Sequence, residues 1–348
     1  MTELRFADAF AHLVADRLNQ KTVRGVFDAI FAGAWTPIQV AGFIAALRAR
    51  GESAETIAAA AGALRDAMVR VEHGLPRLLD TCGTGGDGLG TVNLSTGAAI
   101  LVAASGVPVA KHGNRAASSR SGSADVLDAL GIPLNLPPTA SAELLREVGI
   151  AFLLAPAHHP AMRHAAEARS GLGIRTIFNF IGPLANPASA THQLVGAPDQ
   201  ALRPLLAETL RALGSQRAWV AMGDDGLDEI SPSGPTRVSV VTPTSVTEIR
   251  VTPEDFGLEA IPLSAIAGGD PQENAAILAS VLAGEPHPSR NGFVLNAAAA
   301  LVVSDDLAPR AARDRIEETL ATGKARQKLD QWREAALAKK AKATLATG

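Results

Sequence analysis

The chain of 348 residues has no tyrosine, three tryptophans and one cysteine, Cys82. A lone cysteine excludes an internal disulfide and any cysteine-built metal site. Cys82 falls in a glycine-rich turn, where a small side chain filling space is a simpler reading than a nucleophile. The net charge of −3 argues against a chain whose main task is binding nucleic acid. No apolar run reaches membrane-spanning length without turn residues or charges, so no membrane partner is expected. The opening MTELRFADAFAHLVADRLNQ lacks a basic start followed by an apolar core, so no secretory signal is expected and a cytoplasmic protein is. The glycosylation sequon Asn93-Leu94-Ser95 is then incidental. What remains is ordinary globular composition, 47% hydrophobic and 19% charged, with a length that suggests about two domains.

The pattern changes once along the chain. Residues 1–72 read as four short helices. Phe6, Phe10, Leu13, Val14 and Leu18 keep helical spacing, as do Val23, Val26, Phe27, Ile30 and Phe31. Thr36-Pro37 and Ser53 open the third and fourth helices. A helical module this small suggests a cap or a dimer surface. Residues 73–348 alternate strands with helices. Strands are expected at 77–80, 107–110, 151–154, 193–195, 217–222, 237–241 and 245–251, with a charged helical tail after 307. That alternation predicts an α/β domain with a mainly parallel sheet, whose ligands gather at the carboxyl ends of the strands. The apolar segment 172–187 reads as a tight helical connection returning to the helical module.

Two strand-loop-helix units stand back to back at 80–131, and both loops suit anions. The first runs through Gly83, Gly85, Gly86, Gly88 and Gly90 into Asn93-Leu94-Ser95-Thr96, a run of helix N-cap residue types. Glycines let backbone N–H groups approach a ligand closely, and a helix start adds positive partial charge. The second places Lys111, His112, Asn114 and Arg115 before Ser118, Ser119, Ser121 and Ser123. Cations, hydroxyls and glycines in one loop suit several phosphate groups. The alternative is a glycine-rich turn followed by a solvated polar loop; two such loops in tandem speak against it. A dinucleotide fingerprint fits poorly, because the second strand ends in Ala110-Lys111-His112 where an acid is wanted. A Walker loop fails too, since Leu89-Gly90-Thr91 follows the glycines.

Asp224, Asp225, Asp228 and Glu229 crowd the end of the apolar strand Ala218–Met222. A solvated acidic loop is one reading. Paired carboxylates directly after a buried strand also suit Mg²⁺, which favours a few protein oxygens together with phosphate oxygens. His158-His159 reads as a pair of surface loop histidines rather than a metal site. Arg163, Arg169 and Arg175 are candidates for binding a carboxylate, against the plainer reading of surface helix arginines.

Taken together, DTCGTGGDG at 80–88, NLST at 93–96, KHGNRAASSRSGSADVLDALG at 111–131, GIRTIFNFIGPLANP at 173–187 and DGLDEIS at 225–231 resemble the anthranilate phosphoribosyltransferase family over essentially the whole chain. The resemblance implies a small helical domain joined to a larger α/β domain, usually a homodimer through the helical part. It implies transfer of the phosphoribosyl group of phosphoribosyl pyrophosphate (PRPP) to the amine of anthranilate, a step of tryptophan biosynthesis, with two Mg²⁺ ions. Matched PRPP positions are Gly83, Gly86, Asp87, Thr91, Asn93, Leu94, Ser95 and Thr96 in the first loop. In the second they are Lys111, His112, Gly113, Asn114, Arg115, Ala116, Ala117, Ser118, Ser119 and Ser123. Ser95, Asp228 and Glu229 match metal ligands. Asn114 and Arg169 match residues that hold anthranilate, with Gly83 where the two substrates meet and Lys111 supporting charge on the leaving group. Two departures concern the acceptor side: His158 stands where a tyrosine is common, and Gly171 where many members carry a polar or acidic residue. A pyrimidine nucleoside phosphorylase would need no acidic metal site, and a nucleic-acid-binding relative should show a basic face and damaged phosphate motifs.

Overall fold

The computed structural model describes residues 4–116 and 120–347. The expected Ala117, Ser118 and Ser119 contacts lie outside the described residues.

Four helices, Phe6–Val14, Gln20–Phe31, Pro37–Arg50 and Ala54–Ala67, form the N-terminal module. Their starts follow from local chemistry. Asn19 and Ser53 accept hydrogen bonds from Thr22 and Thr56 backbone N–H groups, and Thr36 forms a reciprocal cap with Gln39 ahead of Pro37. The connection at 172–187 includes the short helix Ile177–Ile181, which does return to this module. Phe178 meets Phe27 and Phe31 with ring centroids 5.6 and 6.2 Å apart.

The remaining chain builds one seven-stranded sheet. Its strands are β1 (Leu79–Gly83), β2 (Val109–Gly113), β3 (Ile150–Leu154), β4 (His192–Gly196), β5 (Arg217–Gly223), β6 (Thr236–Val241) and β7 (Val246–Val251). The order is β3-β2-β1-β4-β5-β6-β7; the first five are parallel, and β6 and β7 close one side antiparallel. This is the expected fold class, a helical module beside a larger, mainly parallel α/β domain. Alternation along the central strands feeds two cores. Leu79, Leu194, Trp219 and Ala221 join one, while Cys82, Val195, Ala218 and Val220 join the other with the helical module.

Two expectations need correction. β1 and β2 each run on to a glycine, Gly83 and Gly113, past the ends expected at 80 and 110. Thr81, Cys82, Lys111 and His112 are therefore sheet residues and buried, not loop residues. Polar side chains inside a parallel strand hide that extension, because burial on both faces is normally read from apolar runs. His158 and His159 are also buried, at 2% and 4% exposure, at the end of the helical turn Ala155–His158 and just after it, not surface loop histidines. No single helix among the described residues is long and apolar enough to cross a membrane.

Candidate active site

The chain proceeds from β1 outward to β2 and β3, then crosses back to start β4 on the other side of β1. The crevice between the carboxyl ends of β1 and β4 is thus a topological switch point, where open α/β sheets bind ligands. Both strands end there in glycine, and Gly83 pairs with Gly196 across the ladder. The space these glycines leave is filled by Asp228. A Cβ on Gly83 would stand 3.3 Å from Asp228 Oδ2, and one on Gly196 would stand 2.7 Å from the Asp228 carbonyl carbon. Two absent side chains therefore let the acidic segment after β5 lie directly over the crevice.

The four acids of that segment divide into two pairs. Asp224 is held by Arg237 and Arg250 at 2.9 and 2.8 Å. Asp225 accepts from Ser231, Ser233 and the Leu227 N–H and shapes the turn. Asp228 and Glu229 are left to face the site. Glu229 Oε1 accepts from the Ser95 N–H at 3.2 Å, at the start of the helix Leu94–Ala104, so a carboxylate already sits where the helix favours an anion. Asp228 Oδ2 is buried without a hydrogen-bond partner. Burial, the Glu229 charge and the adjacent Asp87 push the Asp228 carboxyl well above the usual range. Burial likewise lifts Glu229 to about 7, although Lys111 and Ser95 oppose the shift. Two neighbouring carboxylates, Glu229 half-buried and Asp228 buried with an orphaned oxygen, are a poor arrangement alone and a good one for a hard divalent cation. Among the described residues no three His, Cys, Asp or Glu side chains converge, so any such ion depends on few protein oxygens.

Lys111 lies beneath this pair. Its ammonium donates to the Thr81 carbonyl at 2.6 Å and to Ser95 Oγ at 3.2 Å. Burial lowers its pKa, and Asp80 and Glu229 raise it back in part. Asp80 itself is fully buried. It accepts from the His112 N–H at 3.1 Å and from Asn186 Nδ2 at 2.8 Å, and burial lifts its carboxyl to about 6. Asp80 and Asn186 were not singled out from the sequence. Their positions at the opening of DTCGTGGDG and the close of GPLANP, motifs far apart in the chain, were the available signal.

Gly83, Asp87, Ser95, Lys111, Asp228 and Glu229 are thus brought together. Thr91 and Asn93 are held nearby by residues distant in the chain or in the second loop: Thr91 bridges Ala267, and Asn93 bonds Asn274 and Ser121. The Asn93 side chain does not cap its helix. The other expected residues divide differently. Arg115 is engaged by Asp125 and Asp128 at 2.9 and 3.2 Å. Asn114 Oδ1 accepts from the Arg115 N–H at 2.8 Å. His112 Nε2 has no partner, and its ring lies 5.0 Å from that of His159. Arg169 lies on the helix Arg163–Leu172, and its guanidinium is 5.7 Å from the Phe178 ring centre with no hydrogen bond or ion pair to the described residues. Burial lowers its pKa. No hydrogen bond joins Arg169 or Asn114 to the acidic cluster. Arg175, further along the same segment, does reach the first loop, donating to the Gly85 carbonyl.

Comparison with known proteins gives the family. The family model described as the glycosyl transferase family α/β domain matches residues 75–326, and that of its helical bundle domain matches residues 13–68. An anthranilate phosphoribosyltransferase of Symbiobacterium thermophilum is 48% identical over 91% of this chain and 93% of its own length. One from Methylobacterium radiotolerans is 51% identical over 82% of this chain and 83% of its own. Among solved structures, the anthranilate phosphoribosyltransferase of Thermus thermophilus is similar with a TM-score of 0.89 and 41% identity, covering 94% of this chain and 99% of that one. The Saccharomyces cerevisiae enzyme, solved in complex with PRPP and Mg, has a TM-score of 0.87 and 30% identity, covering 96% and 98%. Matched through both its helical bundle and its α/β domain, the chain belongs to the anthranilate phosphoribosyltransferase family.

Proposed function

We propose that this chain transfers the phosphoribosyl group of PRPP to the amine of anthranilate, forming N-(5-phosphoribosyl)anthranilate and pyrophosphate in tryptophan biosynthesis. The observation that carries this reading is the Asp228–Glu229 pair laid over a glycine-lined switch point, against the start of a helix that follows a glycine-rich loop.

The diphosphate lies along Gly83–Thr96, with glycine-loop N–H groups and the helix start as donors. The second loop, which follows β2 after Gly113, contacts the same substrate, with Asn114 and Ser123 among its described residues. Asp228, Glu229 and Ser95 hold two Mg²⁺ ions. The orphaned Asp228 oxygen and the raised carboxyl pKa values support that assignment, since ligation relieves the cost of two adjacent anions. When bound, Mg²⁺ supplies positive charge against the diphosphate. Lys111 is committed to Thr81 and Ser95, so it acts by fixing the Ser95 hydroxyl and offsetting the acidic pair, rather than as a mobile grip on phosphate.

Anthranilate's carboxylate is taken by Arg169, whose guanidinium has no anionic partner of its own, and Asn114 helps place the ring. The amine attacks C1 of the ribose with inversion as the bond to pyrophosphate breaks. No covalent nucleophile is required. The amine is neutral at working pH, so placement over C1 does more than a strong base would. Val14 and Ile38, exposed at 69% and 84% on the first and third helices, support a homodimer through the helical module. The test of function is anthranilate fluorescence in the presence of PRPP and Mg²⁺. Consumption should require both and stop on chelation; consumption that continues undiminished under chelator overturns the metal assignment.

A further inference from the structure

The segment Leu263–Leu282 contains no residue assigned above to substrate or metal, yet it is built into the site. Its first part runs beside the end of the glycine loop as a short antiparallel strip. Val92 N–H donates to the Ile266 carbonyl at 2.9 Å, Gly268 N–H donates to the Gly90 carbonyl at 2.8 Å, and Thr91 bridges Ala267. The fit leaves no room for a side chain: a Cβ on Gly268 would stand 2.6 Å from the Thr91 carbonyl carbon and oxygen and 2.8 Å from the Val92 nitrogen.

Asn274, one turn into the helix Pro271–Leu282, continues the contact. It is 2% exposed. Its Oδ1 accepts from the Gly269 N–H at 2.8 Å, and its Nδ2 donates to Asn93 Oδ1 at 3.0 Å. Asn93 Nδ2 in turn donates to the Ser121 carbonyl at 3.1 Å. The direction of this relay is dictated at both ends. A backbone N–H can only donate and a carbonyl can only accept, so each amide has one workable orientation. Asn274 is the point at which that direction is imposed on Asn93. Through Asn93 it ties the helix start of the first loop to the far end of the second.

We infer that Asn274 is a positioning residue for phosphoribosyl transfer: it orients the Asn93 amide and thereby holds the two phosphate-binding loops at a fixed separation. It touches neither substrate, so its effect should fall on the substrate both loops share. This inference rests on the proposed function, and the experiment separates the two. Unmodified protein, Asn274→Ala and Asn274→Asp are assayed for turnover with PRPP and anthranilate each varied, alongside thermal melting. Failure of the unmodified protein to turn over overturns the function itself. Given turnover, Asn274→Ala should raise the KM for PRPP about tenfold, the scale of two lost neutral hydrogen bonds, and leave the KM for anthranilate within about twofold. Asn274→Asp is the sharper variant. It keeps the volume and the acceptor for Gly269 but faces Asn93 with a carboxylate. Asn93 must then turn its amide over and present oxygen to the Ser121 carbonyl. A folded Asn274→Asp protein should therefore match or exceed the alanine defect in KM for PRPP. An unchanged PRPP KM, an equal rise for both substrates, or failure of Asn274→Asp to fold each overturns a positioning role.

Discussion

Gly196→Ala tests whether the acidic pair acts through its placement. The added methyl would lie 2.7 Å from the Asp228 carbonyl carbon and closer still to its oxygen. The carbonyl oxygen is the nearest atom to the added carbon, so the Asp228 backbone must retreat by about 1.5 Å or more to reach ordinary contact. It cannot retreat freely. Leu227 and Ile230 on either side are buried in the core, and Ile230 is tied by N–H and carbonyl to Asn296 at 3.0 and 2.9 Å. The methyl should therefore cost about 1–3 kcal/mol in stability, the range for overpacking. Its larger effect should be on turnover, because a misplacement of about 1 Å at a catalytic group can cost about 10²-fold. Gly182→Ala is the control, since a Cβ there meets nothing within 4 Å. Steady-state anthranilate fluorescence should show kcat/KM for Gly196→Ala reduced about 10²-fold under conditions where melting shows it folded. Activity within threefold of Gly182→Ala, in a folded Gly196→Ala protein, would refute the argument that the two glycines exist to admit Asp228.

Asp228→Asn with Glu229→Gln removes both charges but keeps the shapes, and should abolish most turnover while preserving the fold; near-normal rates at ordinary Mg²⁺ would sink the metal assignment. Arg169→Ala should raise the KM for anthranilate about tenfold to a hundredfold, the scale of charge-assisted hydrogen bonds, and leave that for PRPP nearly unchanged. Arg163→Ala, an exposed neighbour on the same helix, should do little, and the reverse pattern would show the acceptor site to be misassigned. His159 adds a pH dependence: burial, then the neighbouring His158, push its imidazole down to about 4. The unfolded chain binds the proton first, so this contribution to stability is complete above about pH 6.5 and lost as pH falls toward 4, roughly 3 kcal/mol in all. Melting curves for the protein and for His159→Gln should diverge over that window, and parallel curves would remove His159 from the account.

The architecture was legible because its signals are local. Helical spacing and N-cap chemistry defined the four N-terminal helices, and apolar runs placed all seven strands within a few residues. The glycine-rich loop and the acidic segment were legible for the same reason. What escaped depended on contacts between distant residues. The family resemblance picks Asp228 and Glu229 out of the four acids, but the reason Asp224 and Asp225 turn away, their bonds to Arg237, Arg250, Ser231 and Ser233, is visible only in the fold. The ion pairs that Arg115 makes with Asp125 and Asp128, on the helix directly after its loop, are likewise seen only in the fold. Lys111 follows an apolar run and so reads as a loop residue; it sits inside a parallel strand here because Thr81, Ser95, Asp80 and Glu229 surround it.

That surrounding changes how the site should be viewed. Asp80, Lys111 and Glu229 form a column of alternating charge, with Asp80 and Lys111 buried and Glu229 half-buried above them, and each buried member alone would be costly. Lys111 links the other two electrostatically and through Ser95 reaches the loop above. Asn186 anchors Asp80 and also bonds the Ala110 carbonyl, so the segment returning from the helical module is fastened to the same stack. The first loop, the second strand, the acidic segment and the returning connection therefore share one charged foundation. Replacing any one member leaves another unpaired in a buried setting. The surface above can present adjacent carboxylates to a cation because the layer below supplies the opposing charge and fixes Ser95 between them.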